Sequence, residues 1–331
     1  MEQLSNGLTL FFSLLVEAIP FLLIGVAFSS LLLFFVDERT LIKLLPKTPL
    51  LGAIAGSLMG VFFPVCECGN VPVARRLIVQ GAPSSVAVGF LLAAPTINPV
   101  VFWATWVAFR DQPEIVFLRV IFTLIIAVTI AWVFSRQPDM RPILQSSVAR
   151  QMPKVRRVEP VNPLLRSGTF LLQTDGAALQ LDDPTAILSQ TPEQPVSVKL
   201  QLVVENMIQE LKELGAVLIL GSAIAAFVQV AIPRDWILTL GQNFITSILA
   251  MMLLAAVVSI CSTVDSFFAL SFASTFTTGA QLAFLVFGPM IDLKNIGLLM
   301  TLFKPRAIIY IFALAAQMCF ILTLFMNLYV S

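Results

Sequence analysis

Histidine is absent from the 331-residue chain. Its absence excludes a zinc site built on imidazole and leaves thiolates, carboxylates or carbonyls as metal ligands. Charge is scarce as well: charged residues make up 12% and sum to +1, while 58% of the chain is hydrophobic. So little charge excludes an ordinary soluble domain. A balance so near neutrality gives no footprint for a nucleic-acid partner. There are four cysteines, too few in a chain of this size for a disulfide framework. A bridge between Cys66 and Cys68, on a helix end, would be strained. No GxxxxGK[ST] stretch occurs, so nothing in this chain supports direct ATP-driven transport. No basic n-region or small-residue cleavage site is seen at the N-terminus, and no signal peptide is read there.

What the sequence does hold is a series of apolar runs near or above the roughly 20 residues that cross a bilayer. The fold class expected is all-α, a polytopic membrane protein of about eight transmembrane helices with broken segments. The spans fall at 8–36, 50–65, 86–109, 115–134, 215–232, 244–261, 282–302 and 307–330. Half-helices are expected over 70–80 and 266–278, and 199–214 alternates apolar and charged residues as an amphipathic lead-in at the membrane surface. The stretch 136–198 is polar and holds eight of the twenty prolines. Seven basic residues against two acidic ones over 136–166 place it on the cytoplasmic side. It reads as a tether or as a docking segment for a partner, with a hairpin signal around Asp175-Gly176. The expected division is a first membrane half (1–135), the cytoplasmic loop (136–198) and a second membrane half (199–331), set in the inner (plasma) membrane.

The halves repeat. Glu17 leads by eight residues to Gly25, as Glu213 leads to Gly221. Cys66 stands 195 residues before Cys261, each at the end of an apolar span. Phe90-Leu91-Leu92-Ala93-Ala94-Pro95-Thr96-Ile97-Asn98 matches Phe284-Leu285-Val286-Phe287-Gly288-Pro289-Met290-Ile291-Asp292. Pro95, Pro99 and Pro289 are expected to break their spans. Paired, interrupted spans point to a transporter's binding site, because half-helix ends expose backbone groups there. The sequence is compatible with parallel or inverted halves.

Within the first half, Pro64-Val65-Cys66-Glu67-Cys68-Gly69-Asn70-Val71-Pro72 sets polar, helix-breaking residues inside membrane-type sequence. That is costly, and marks a functional site by default. PVCECGNVPVARRL, the AAPTINPV break and the later SICSTVDSFFA together resemble the predicted-permease family that includes the trivalent organoarsenical efflux permease ArsP. The resemblance covers both membrane halves and leaves out 136–198. It implies a permease, not an enzyme, for a small-molecule or metalloid substrate in the lipid bilayer. Some members resemble subunits of two-component permeases linked to metal ions, which implies a second subunit as partner. Glu67 between the two cysteines and the long loop depart from what the arsenical permease implies.

The candidate substrate-binding residues are Cys66, Cys68, Cys261, Asn70, Asn98 and Thr263. A thiolate is soft and suits trivalent arsenic better than oxygen ligands do. Two thiols suffice for a monomethyl arsenic(III) centre, from Cys66 and Cys68 or from one of them with Cys261. The bland alternative is that each cysteine packs as a small hydrophobe, the expected role of Cys319. Asn70, Asn98 and Thr263 offer donors and acceptors to a ligand, or else satisfy backbone groups freed by the prolines. Glu67 and Asp265 are the candidate coupling groups, since intramembrane carboxylates form proton relays. Their alternative roles are pairing with Arg75 or Arg76, read as orientation anchors at the cytoplasmic surface, or capping the helix that starts at Ser266. No cofactor is implied. A membrane thiol oxidoreductase using the Cys66/Cys68 pair is the rival from another class, but nothing here resembles a quinone or haem site.

Overall fold

In the computed structural model the described residues are 2–35, 46, 48–62, 67–137, 140–152, 170–172, 178–180, 196–231, 243–273 and 276–329. They form an all-α membrane architecture with one small hairpin. The first series of helices is α1 (Glu2–Phe35), α2 (Pro49–Met59), α3 (Glu67–Val79), α4 (Ser84–Ile97), α5 (Pro99–Ala108) and α6 (Pro113–Ser135). A short helix α7 (Ser146–Gln151) and strands β1 (Phe170–Leu172) and β2 (Ala178–Gln180) follow. The second series is α8 (Val196–Ala231), α9 (Phe244–Val258), α10 (Asp265–Leu270), α11 (Thr278–Met290), α12 (Leu293–Leu302) and α13 (Pro305–Tyr329). Element for element, the two series match in order and kind.

Five stretches among the described residues are long and apolar enough to cross a membrane: Gly7–Ile24, Ser84–Ala108, Pro113–Ser135, Thr278–Leu302 and Pro305–Leu328. Pro49–Met59 and Phe244–Val258 are shorter apolar helices at equivalent places in the two series. Packing repeats too: α2 lies on α4 as α9 lies on α11, and the long helices α1 and α8 pair with each other. Gly52, Gly56 and Gly60 recur every fourth residue along α2, so they share one face. A Cβ at Gly56 would collide with the Val86 backbone, and one at Gly60 would come within 2.5 Å of Ala94 Cα. Small residues let the two helices approach this closely in a setting with no hydrophobic drive to bring helices together.

Several sequence expectations shift. The expected lead-in and fifth span are one unbroken 36-residue helix, α8. The helix expected over 50–65 stops at Met59, and 63–66 lie outside the described residues. The half-helix expected from residue 70 begins at Glu67, with Pro72 inside it. A carboxylate in a helix's first turn is favourable, and Pro72 comes early enough that its missing donor disturbs only the opening turn. The second half-helix is short, only the six residues of α10. The broken spans part just after their prolines. α4 continues through Pro95 to Ile97 and α11 through Pro289 to Met290, so the actual breaks lie at Asn98 and at Ile291–Asp292. The hairpin is present, pairing Phe170 with Gln180 and Leu172 with Ala178 in antiparallel register. The segment 140–152 lies along the second half: Gln145 Nε2 donates to Met300 O at 2.9 Å, and Lys304 Nζ donates to Pro142 O at 2.7 Å.

Candidate functional site

Each broken span is restarted by a side chain. Asn98 precedes α5 and its Oδ1 accepts from the Val101 amide at 2.8 Å. Asp292 precedes α12 and its Oδ1 accepts from the Asn295 amide. Both are N-caps, and a cap satisfies one of the donors left bare at a helix start. Asn98 thus satisfies the Val101 amide, a donor left bare by the start of α5 and not by a proline.

The matching ends of α9 and the start of α10 form the second half's polar turn. Ser259 ends α9 in the left-handed region, at φ 47°. Val264 and Asp265 amides then donate to Cys261 O at 2.9 and 3.0 Å, which brings Asp265 to the first position of α10. Cys261, a free and buried thiol, shares this turn with Thr263, whose Oγ1 lies 3.6 Å from the Cys261 sulfur. Cys66 lies outside the described residues, and so does the side chain of Cys68, although Cys68 itself is in the first turn of α3. Cys319 is buried in α13 with its sulfur 3.8 Å from Ala283 O on α11, a packing cysteine.

Two buried cations organise the region, and neither was among the sequence candidates. Arg119 is only 1% exposed on α6. Its Nη2 meets Asp265 Oδ2 at 2.6 Å, and its Nη1 donates to Thr105 Oγ1 at 2.7 Å and to Ser266 Oγ at 2.8 Å. Thr105 and Ser266 hydroxyls also meet, at 3.0 Å. Lys294, equally buried on α12, lies 3.5 Å from Glu67 Oε1 and donates to Ser259 O at 3.3 Å. Glu67 is thus paired with Lys294 from the other half and not with Arg75 or Arg76. Arg75 instead pairs with Glu213 of α8 at 2.9 Å, with the Glu213 side chain half exposed. Asp265 does not cap the helix, as one reading had it: Val264 holds the cap position, Asp265 is the first residue of α10, and its partner is Arg119.

Each half therefore lends a cation to a carboxylate of the other. Glu67 also lies within Coulombic reach of Asp265 and Asp292, so the carboxylates of both breaks share one region. Asn70, three residues along α3 from Glu67 and on the same face, donates through Nδ2 to Leu91 O at 2.6 Å. The signal that would have found Arg119, Lys294 and Asp292 was available: an ionisable residue within an apolar span faces the interior and pairs there.

Two series of broken helices, joined by ion pairs between them, make a polytopic α-helical membrane protein. The chain belongs to the family described as Predicted permease (ArsP_1), whose model matches residues 3–328. It is 37% identical over 298 residues to the UPF0718 protein YcgR of Bacillus subtilis (strain 168), covering 90% of this chain and 89% of that protein. It is 32% identical over 302 residues to a Streptococcus mutans protein (serotype c, strain ATCC 700610 / UA159) named "Putative two-component membrane permease complex subunit", covering 91% of this chain and 88% of that one. No solved structure gives a significant match.

Proposed function

We propose that the chain exports a small thiophilic solute such as a trivalent organoarsenical across the inner (plasma) membrane. Cys261, with Cys66 or Cys68, would serve as soft ligands, and Asn70 and Thr263 as polar neighbours. The observation that supports this reading best is the buried, free Cys261 in the turn that also carries Asp265. A thiol at a helix break beside backbone carbonyls suits a soft, partly polar cargo. Glu67 and Asp265 would couple export to an ion gradient. The domain division at 136 and 198, with the intervening loop in the cytoplasm, belongs to the same proposal. Everted membrane vesicles test it. Wild-type vesicles should accumulate methylarsenite, and Cys261→Ser or Cys66→Ser vesicles should lose most of that uptake. Uptake that is unchanged in all cysteine variants would refute the thiol role.

A second reading, favoured by the name of the streptococcal relative, makes the chain one subunit of a two-component permease; its cargo would be a metal ion or another small solute. It predicts that vesicles with this chain alone stay inactive and gain uptake when a second subunit is co-expressed. Full activity of the purified chain alone would refute it.

A further inference from the structure

The ion pair between Glu67 and Lys294 does not balance its surroundings. Arg119 pairs with Asp265 at 2.6 Å and Lys294 lies 3.5 Å from Glu67, and the buried Asp292 has no ion-pair partner among the described residues. α3 packs against α12, so Glu67 and Asn70 face the start of α12, where Lys294 and Asn295 lie. The groups gathered there are acceptors short of donors. Both Glu67 oxygens, Asn70 Oδ1, Asp292 Oδ2 and Asn295 Oδ1 have no hydrogen-bond partner among the described residues. All four side chains are buried, at 0–4% exposed. The Asn295 amide is held at the break by its own bond from Nδ2 to Met290 O, 3.1 Å. Buried acceptors without donors are costly and rare, and each asks for a missing partner.

A hard cation fits a place where every open atom is oxygen. Lys294 already brings one cation to the place on a flexible stem. Its ammonium sits on Ser259 O at the C-terminal end of α9, where a helix favours positive charge. Its backbone is fixed against α8, because a Cβ on Gly221 would come within 3.4 Å of Lys294 Cα. The charged groups around this place are Glu67 from α3, Asp265 from α10, Arg119 from α6, and Asp292 and Lys294 at the head of α12. α8 meets Lys294 with Gly221, and the side chain of Glu17 on α1 is outside the described set.

We propose that Glu67, Asn70, Asp292 and Asn295 form a site for one exchangeable monovalent hard cation, a proton or a sodium ion, with the Lys294 ammonium as its tethered competitor. In the present state Lys294 covers Glu67. When the ion enters, it takes the Glu67 carboxylate and Lys294 keeps its bond to Ser259 O. A proton would be carried on a Glu67 oxygen, while sodium would be ligated by the carboxylates and the two amide oxygens. This inference rests on the permease reading and its coupling carboxylates, and not on the cargo.

The test is the thermal stability of the purified full-length chain in detergent. It is titrated with sodium against choline at constant ionic strength, and separately with pH. An ion that binds the folded state raises the melting temperature. Removing the competitor raises apparent affinity by the fraction of molecules in which it had covered the site. Lys294→Gln should therefore need about tenfold less sodium, or respond at a proportionally higher pH, than wild type. Adding Glu67→Gln to it should abolish the response. A sodium response identifies sodium, and a pH response alone identifies the proton. A folded Lys294→Gln protein indifferent to both, or a response that survives Glu67→Gln, overturns the site. Should Lys294→Gln fail to fold, wild type and Glu67→Gln decide: an equal response in the two overturns the proposal, and a response confined to wild type upholds it. Methylarsenite uptake is not read in this experiment, so its outcome is independent of the cargo assignment.

Discussion

Arg119 and Glu213 show how differently two ion pairs can matter. Arg119 is buried against Asp265, with the Thr105 and Ser266 hydroxyls and Ser262 O accepting from its other Nη hydrogens, while its Nε meets no acceptor among the described residues. Truncating one partner of such a pair leaves an uncompensated buried charge, at a cost of about 3–5 kcal/mol. Arg119→Met should therefore melt at a much lower temperature, and Arg119→Met with Asp265→Leu should recover most of the loss without recovering transport. A double variant as unstable as the single one would show that the pair is not the source of the cost. Glu213 meets Arg75 at 2.9 Å but is half exposed. Such pairs contribute at most about 1 kcal/mol, so Glu213→Ala should leave the melting temperature and the transport rate close to wild type.

At the scale of elements, the two decisive devices are the breaks and the glycine face. Gly56 meets the Val86 backbone so closely that no side chain fits. Gly56→Leu should prevent α2 from seating on α4, and the protein should be lost from the detergent-soluble monodisperse fraction. A normal elution profile would contradict the close packing. The breaks were legible in sequence because Pro95, Pro99 and Pro289 flag them and Asn98 and Asp292 are cap-forming types. The helices run one or two residues past Pro95 and Pro289 because a proline frees only the carbonyl four residues back, and at Pro95 that carbonyl, Leu91 O, accepts from Asn70 Nδ2 instead. The partners of Glu67 and Asp265 were not legible. They lie 227 and 146 residues away in sequence, across the two halves, and no local pattern encodes a pairing at that separation. A reading confined to neighbours offered Arg75 and Arg76 in their place.

Taken whole, the molecule turns its apolar side chains both ways. Val71, Phe90, Ile126 and Leu285 are fully enclosed, whereas Phe12, Ile121, Phe227, Ile309 and Phe325 stand outward. Outward apolar bands on spanning helices meet lipid. A nitroxide at Ile121 or Ile309 should be accessible to oxygen and shielded from an aqueous nickel complex, and one at Arg150 should show the reverse. Equal access at all three positions would refute the membrane placement. The repeated architecture was legible from spacing alone: the 195-residue offset of Cys66 and Cys261 carries over to α2 and α9, and nearly so to the elements that follow.

The crossed pairing bears on ancestry. At the 195-residue offset, Glu67 corresponds to Ser262 and Asp265 to Asn70. A chain made of two first halves would set Arg119 against an asparagine, and one made of two second halves would set Lys294 against a serine. Each half has given up one acid and relies on its sibling for a base. If the two arose by duplication, they have since diverged into complementary parts, and a gene carrying either half twice would lack the charges that close the molecule.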